Sequence, residues 1–329
     1  MLVRRSRATQ RTAALAVLIL LATHAAAVPP APDAEGVVQG SDGPLYWHSY
    51  GSGPPLLVLN GGPGVSSAHF GALAAELAQL DGGRRVILFD QRGTGRSTLP
   101  TLSAETVNLE RMVEDVEALR RAFDVERWDV FGHSWGGMYA MLYGVAHPER
   151  VRGLVLSASG GVTMAWADTV GANLRSRLGP ERRATYEYWI DPANGAADPA
   201  AANLERVRAM APAYVYHPEN MPFVVEALTR EGANFPEVRT LVYADLRRTG
   251  YDLREALATF ERPALVLSGR QDFLGQATPL GIRDAIPGAE LVWLEECAHY
   301  PWLDAPDAYF GAIGAFLARH GDAVARASR

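Results

Sequence analysis

Short apolar runs, each closed by turn-forming residues, recur along the chain: Leu56–Leu59, Val86–Phe89, Trp128–Phe131, Leu154–Leu156, Ala264–Leu267 and Leu291–Leu294. They are apolar at successive rather than alternate positions, which predicts strands covered on both faces, as in a parallel sheet. Two earlier strands are predicted around Val37 and over Leu45–Tyr50, after a lead-in rich in Pro, Ala and Gly. Between the runs, apolar residues fall at spacings of three and four. Leu109, Met112, Val116 and Leu119 share one helical face, and Phe70, Leu73, Leu77 and Leu80 share another. Alternation of this kind predicts an α/β fold, a mostly parallel sheet with helices on both faces, whose ligands bind beyond the carboxyl ends of the strands.

The alternation stops between residues 161 and 260, where apolar residues keep helical spacing and no strand is evident. This stretch reads as an inserted helical cap, with a loop rich in Pro, Ala, Asn and Asp over residues 191–202. The core is thereby split into residues 28–160 and 261–329. Ahead of it, Arg4, Arg5, Arg7 and Arg11 precede an apolar stretch from Ala13 to Ala22 and the small residues Ala25–Ala27. That order reads as a signal peptide over residues 1–27, so the mature chain is expected to be periplasmic or secreted, without stable membrane insertion.

A chain of 329 residues, 48% of them hydrophobic, can bury a large core. Its formal charge of −6 gives no basic surplus for phosphates, so nucleic acid is not an expected partner. All 31 basic residues are arginine, which removes Schiff-base chemistry and the phosphate-loop lysine from consideration. The single cysteine, Cys297, cannot form an intramolecular disulfide and reads as a small buried residue. No metal-ligand spacing occurs, so neither metal nor cofactor is expected.

Gly132-His133-Ser134-Trp135-Gly136 lies directly between a predicted strand and a predicted helix. A serine on so sharp a turn needs small neighbours, and the turn presents its Oγ above the sheet edge. Serine attacks a carbonyl only when a base takes its proton, so a histidine oriented by a carboxylate is required. Asp272 follows the strand Ala264–Leu267, and His299 follows Leu291–Leu294. Among eight histidines only His299 stands on a late loop after a strand; Glu295 and Glu296 are the rival acids. Asn60-Gly61-Gly62-Pro63-Gly64, after Leu56–Leu59, is placed to supply backbone donors, and the N–H groups of Gly62 and Trp135 are the expected oxyanion pair. A further loop, Asp90-Gln91-Arg92-Gly93-Thr94-Gly95-Arg96-Ser97, is expected to pin its neighbours by hydrogen bonds rather than bind phosphate.

These three glycine-bearing motifs, together with Gly269-Arg270-Gln271-Asp272 and Ala298-His299-Tyr300-Pro301, resemble the successive motifs of the proline iminopeptidase group of α/β-hydrolases. The resemblance spans residues 37–160 and 263–319. It implies the α/β-hydrolase fold, a Ser–His–Asp triad, a helical cap and release of an N-terminal residue, often proline, from a short peptide or small molecule. Two positions depart from that group, Asn60 where histidine is usual and His133 where glycine is frequent. The resemblance also implies cap carboxylates that bind the substrate amine, and Asp245 and Glu237 are the candidates here. The expected activity is a proline iminopeptidase-like serine hydrolase, with a carboxylesterase as the alternative and a catalytically silent binding module as the remote one.

Overall fold

Eight strands form one sheet: β1 (Ala34–Gln39), β2 (Pro44–Tyr50), β3 (Pro55–Leu59), β4 (Arg85–Phe89), β5 (Trp128–His133), β6 (Val151–Ser157), β7 (Ala264–Gly269) and β8 (Glu290–Leu294). Their spatial order is β1-β2-β4-β3-β5-β6-β7-β8. β2 pairs antiparallel with β1 and β4, while β3 to β8 run parallel. The computed structural model describes residues 30–327, with side chains described through residue 320. The segment read as a signal peptide lies outside the described residues.

Alternate side chains of the central strands enter two separate apolar layers. Leu57, Leu59, Val130, Leu154, Leu156 and Val266 pack under α2 (Leu109–Ala122) and α3 (Trp135–Ala146). Leu56, Val58, Phe131, Val155, Leu265 and Leu267 pack under α1 (Gly71–Leu77) and, on the same face, α13 (Pro306–Ala327). Runs apolar at every position are therefore what a sheet with two covered faces requires. α2 begins where Asn108 accepts a hydrogen bond from the Arg111 amide at 3.0 Å, satisfying one of the donors a helix start leaves open.

Between β6 and β7 the chain forms α4 (Ala167–Ser176), α5 (Pro180–Ile190), α6 (Pro192–Gly195), α7 (Pro199–Tyr214), α8 (Met221–Thr229), α9 (Pro236–Thr249) and α10 (Arg254–Leu257), with no strand. The loop expected over residues 191–202 is corrected here: it holds α6 and the first turn of α7. Asp191 and Asp198 accept hydrogen bonds from the amides of Ala193 and Ala201, both at 2.9 Å, and each is followed by a proline at the first helical position. Residues read as loop formers are here serving as helix starts. The remaining helices, α11 (Ala277–Ala285) and α12 (Pro301–Asp304), flank β8. Among the described residues no helix is long and apolar enough to cross a membrane.

Candidate functional site

Register brings the loops together. The ends of β3, β5, β6 and β7 are level, with Leu59 opposite Gly132, His133 opposite Ser157, and Ser157 opposite Leu267; Gly269 pairs with Leu294 of β8. Loops leaving these ends therefore emerge along one edge, which is where an α/β sheet binds its ligands.

Ser134 occupies the turn from β5 to α3 with φ 56° and ψ −119°, a left-handed backbone that side-chain-bearing residues seldom adopt. Its flanking glycines are steric necessities. A Cβ on Gly132 would lie 2.2 Å from the Gly136 carbonyl oxygen, and one on Gly136 would lie 2.0 Å from that of Leu59. The Ser134 amide donates to the Ser157 carbonyl, and the Ser134 carbonyl accepts from Gly160, both at 3.0 Å. The strained turn is thus held on both sides.

His299 Nε2 stands 3.1 Å from Ser134 Oγ, and its Nδ1 stands 3.1 and 3.0 Å from the two oxygens of Asp272. Asp272 also accepts from the Leu274 amide at 2.9 Å. The backbone ties the two loops together, since the Gln271 amide donates to the Cys297 carbonyl and Gln271 Oε1 accepts from the Cys297 amide. Glu295 instead pairs with Arg270 at the surface, and Glu296 is exposed; neither bonds to His299. Cys297 is fully buried, and burial pushes its thiol well above the usual range, which suits packing rather than reaction. His133 is sealed beneath the site with its ring 4.8 Å from that of His299. Burial, with His299 as a nearby base, holds His133 well below the ordinary histidine range, so it stays neutral.

Gly62 and Trp135 both line the cavity above Ser134. Neither amide has a hydrogen-bond partner among the described residues, and Trp135 opens α3, where the first N–H groups have no partner within the helix. The loops beneath them are fastened by Gln91, which donates to the Asn60 carbonyl at 3.0 Å and accepts from Trp135 Nε1 at 2.9 Å. Asp90 accepts from the amides of Ser67 and Arg96, and Arg92 forms a buried two-pronged pair with Asp115.

Two functional contributions were not legible in the sequence. The carbonyl of Tyr214, at the end of α7, accepts from the amides of His299 and Tyr300, so the cap itself holds the histidine loop. Asp304 accepts from the amides of Ala298 and Tyr216, at 2.9 and 2.7 Å, binding that loop to the cap a second time. Nothing separates Asp304 from other carboxylates in the sequence, because its partners, the amides of Ala298, Tyr216 and His217 and the side chain of Asn220, are distant in the chain or are backbone groups.

The cap candidates are corrected. Asp245 is buried away from the cavity, accepting from the Leu109 amide at 2.9 Å and pairing with Arg248 at 2.6 Å; it fastens α9 to the start of α2. Glu237 is exposed in the first turn of α9 and lines no part of the cavity. That cavity, of about 270 Å³, is walled by Trp166, Leu174, Met210, Phe273 and other apolar side chains. No Asp or Glu among the described residues lines it, but Arg206 and Arg239 do. Nor is any group of three or more His, Cys, Asp or Glu among the described residues arranged to hold a metal ion.

Residues 54–188 match the family model described as the alpha/beta hydrolase fold. The proline iminopeptidase of Lactobacillus helveticus (strain DPC 4571) is 28% identical over 271 residues, 81% of this chain and 90% of that protein. A proline iminopeptidase structure from Mycobacterium smegmatis superposes with a TM-score of 0.65 at 24% identity, covering 88% of this chain and 100% of that one. An esterase structure from Rhodococcus sp. ECU1013 does so with a TM-score of 0.66 at 23% identity, covering 86% and 97%. The structural likenesses carry the fold; the sequence likeness covers core and cap together. The eight-stranded sheet, the loops gathered at its carboxyl edge and these likenesses together mark the chain as a hydrolase with the α/β-hydrolase fold, similar in sequence to proline iminopeptidases.

Proposed function

We propose that the protein is a serine hydrolase that cleaves small carboxylic esters through an acyl-enzyme, with Ser134 as nucleophile, His299 as base and Asp272 as its orienting acid. The observation that carries this reading is the unbroken hydrogen-bond chain from Ser134 Oγ through His299 to Asp272 at the floor of a cavity. His299 Nε2 takes the Oγ proton as Oγ bonds to the substrate carbonyl carbon. The oxyanion that results is met by the Gly62 and Trp135 amides. His299 returns the proton to the leaving oxygen as the ester C–O bond breaks, and water repeats the sequence on the acyl-enzyme. Asp272 keeps the Nδ1 proton in place and offsets the imidazolium charge.

The names of the relatives suggest release of an N-terminal proline, which would place a cationic amine in this cavity. A charge left unpaired in a partly desolvated site costs several kcal/mol. Asp245 and Glu237 are elsewhere, and no carboxylate lines the cavity among the described residues, which favours an ester over a free-amine amide. The test compares kcat/KM for proline p-nitroanilide, its N-acetylated form and p-nitrophenyl butyrate. The ester is expected to be turned over best, with little difference between the two amides. A strong preference for the free amine would restore the aminopeptidase reading.

A further inference from the structure

Buried guanidinium groups are expensive unless paired, and most of this protein obeys that rule. Arg84 pairs with Asp81 and Asp129, Arg92 with Asp42 and Asp115, and Arg120 with Glu117; all three are buried. The cavity is one place where the rule lapses. Arg206 of α7 and Arg239 of α9 are half-buried in its wall, and neither has a carboxylate partner among the described residues. Each spends one side-chain bond on an asparagine, Arg206 Nη2 donating to Asn203 Oδ1 at 2.7 Å and Arg239 Nη2 to Asn234 Oδ1 at 2.9 Å. A guanidinium has five N–H donors, so most of each fork is left for something else.

The two cations also repel one another. Burial pulls Arg239 below the usual arginine range, and the neighbouring Arg206 charge adds to the effect. Arg239 is held there by construction: it sits in the first turn of α9, and its backbone packs against Gly64, where an added Cβ would come within 2.9 Å of the Arg239 amide. The Phe235 amide donates to the Gly64 carbonyl at 2.7 Å, joining this turn of the cap to the loop that carries Gly62. Two like charges, fixed beside the reacting centre with donors unspent and no acid in the wall, describe an anion site.

We propose that Arg206 and Arg239 form a carboxylate-binding pair, and that the substrates are small esters carrying a free carboxylate away from the scissile bond. The inference rests on the serine hydrolase reading and narrows its substrate class. Planar, forked donors suit a carboxylate, and an ester whose far end is anionic pairs the two guanidiniums on binding. It also gives a physical reason why a free amine is unsuited to this cavity, since the amine would add a third positive charge.

The experiment uses two matched pairs of substrates with the purified protein. One pair is the p-nitrophenyl monoester of adipic acid and its methyl ester, with the charge on the acyl side. The other is p-butyryloxybenzoate and its methyl ester, with the charge on the leaving group. In at least one pair the acid is expected to exceed the methyl ester by about tenfold or more in kcat/KM, carried mainly by KM, and the pair that shows it locates the carboxylate. The preference should shrink at high ionic strength and fall to near one in the Arg206→Gln/Arg239→Gln double variant, while Arg239→Lys keeps part of it. If wild type hydrolyses both methyl esters as well as the acids, or if the double variant keeps the preference, the proposal is overturned and the hydrolase reading stands. If none of the four esters is cleaved and a fluorophosphonate does not label Ser134, the underlying reading fails instead.

Discussion

The loops along the carboxyl edge of the sheet and the helical cap above them treat charge in opposite ways. In the loops nearly every polar group has a partner: Asp272 takes His299 and the Leu274 amide, Gln91 joins Asn60 to Trp135, and Asp90 gathers the amides of Ser67 and Arg96. In the cap, the residues lining the cavity are mostly apolar, joined by Asn234, the tyrosines Tyr214 and Tyr243, and two arginines with no carboxylate partner among the described residues. The first region is a rigid, self-satisfied frame, suited to chemistry common to many substrates. The second leaves its hydrogen-bonding capacity open, and an open donor inside a cavity belongs to a ligand. Reaction type is therefore written in the strand-end loops and substrate class in the cap.

The sharpest way to break that comparison is at the frame. Ser134→Ala is expected to lower kcat by about 10⁴-fold or more with the fold intact, since only the remaining site elements would act on the substrate. Asp272→Asn should cost on the order of 10³–10⁴-fold, whereas Glu295→Gln and Glu296→Gln should change kcat by less than about threefold. Steady-state kinetics on p-nitrophenyl butyrate, with circular dichroism to check folding, measure all four. Near-full turnover in Asp272→Asn would move the acid's role to another residue.

A smaller effect sharpens the cap side. Asp245→Ala removes the partner of the Leu109 amide and of Arg248, and should lower stability by about 1–2 kcal/mol with KM nearly unchanged. Chemical denaturation and steady-state kinetics on one preparation separate the two outcomes. A large rise in KM with unaltered stability would return Asp245 to substrate binding.

The smallest effect concerns acid. Burial holds His69, in the cavity wall, down to about 4, against 6.5 for a free imidazole. As pH falls, the unfolded chain takes up this proton first, so the His69 contribution is full above about pH 6.5 and is lost progressively toward about pH 4. His133 acts in the same direction. Wild-type Tm should therefore drop between pH 7 and pH 5, and His69→Gln should reduce that drop by a few degrees, read by thermal melts. An unchanged drop would place the acid sensitivity elsewhere.

The legible parts of the molecule share one property, that their evidence is local. Apolar runs such as Val86–Phe89 and Ala264–Leu267 are β4 and β7 because a strand covered on both faces must be apolar throughout. Gly132 and Gly136 stand beside Ser134 because any Cβ there would strike backbone, a constraint confined to the turn and its neighbouring strand. The stretch over residues 191–202 is ambiguous in sequence for an equally local reason: an Asp-Pro step is a loop signal and a helix-start signal at once, and only the residues that follow decide between them.

By itself the sequence determined the strand-and-helix alternation, the strand-to-helix turn at Ser134 and the late loops carrying Asp272 and His299, because each follows from side-chain size and spacing over a few residues. Only the tertiary structure decided what the cap residues do. Asp245 meets the Leu109 amide, 136 positions away, and Asp304 meets the amide of Tyr216 across 88. Arg206 and Arg239 acquire meaning only from the carboxylates that do not face them. Whether a charge is paired depends on what the folded chain brings within a few ångströms of it, and no spacing along the sequence records that distance.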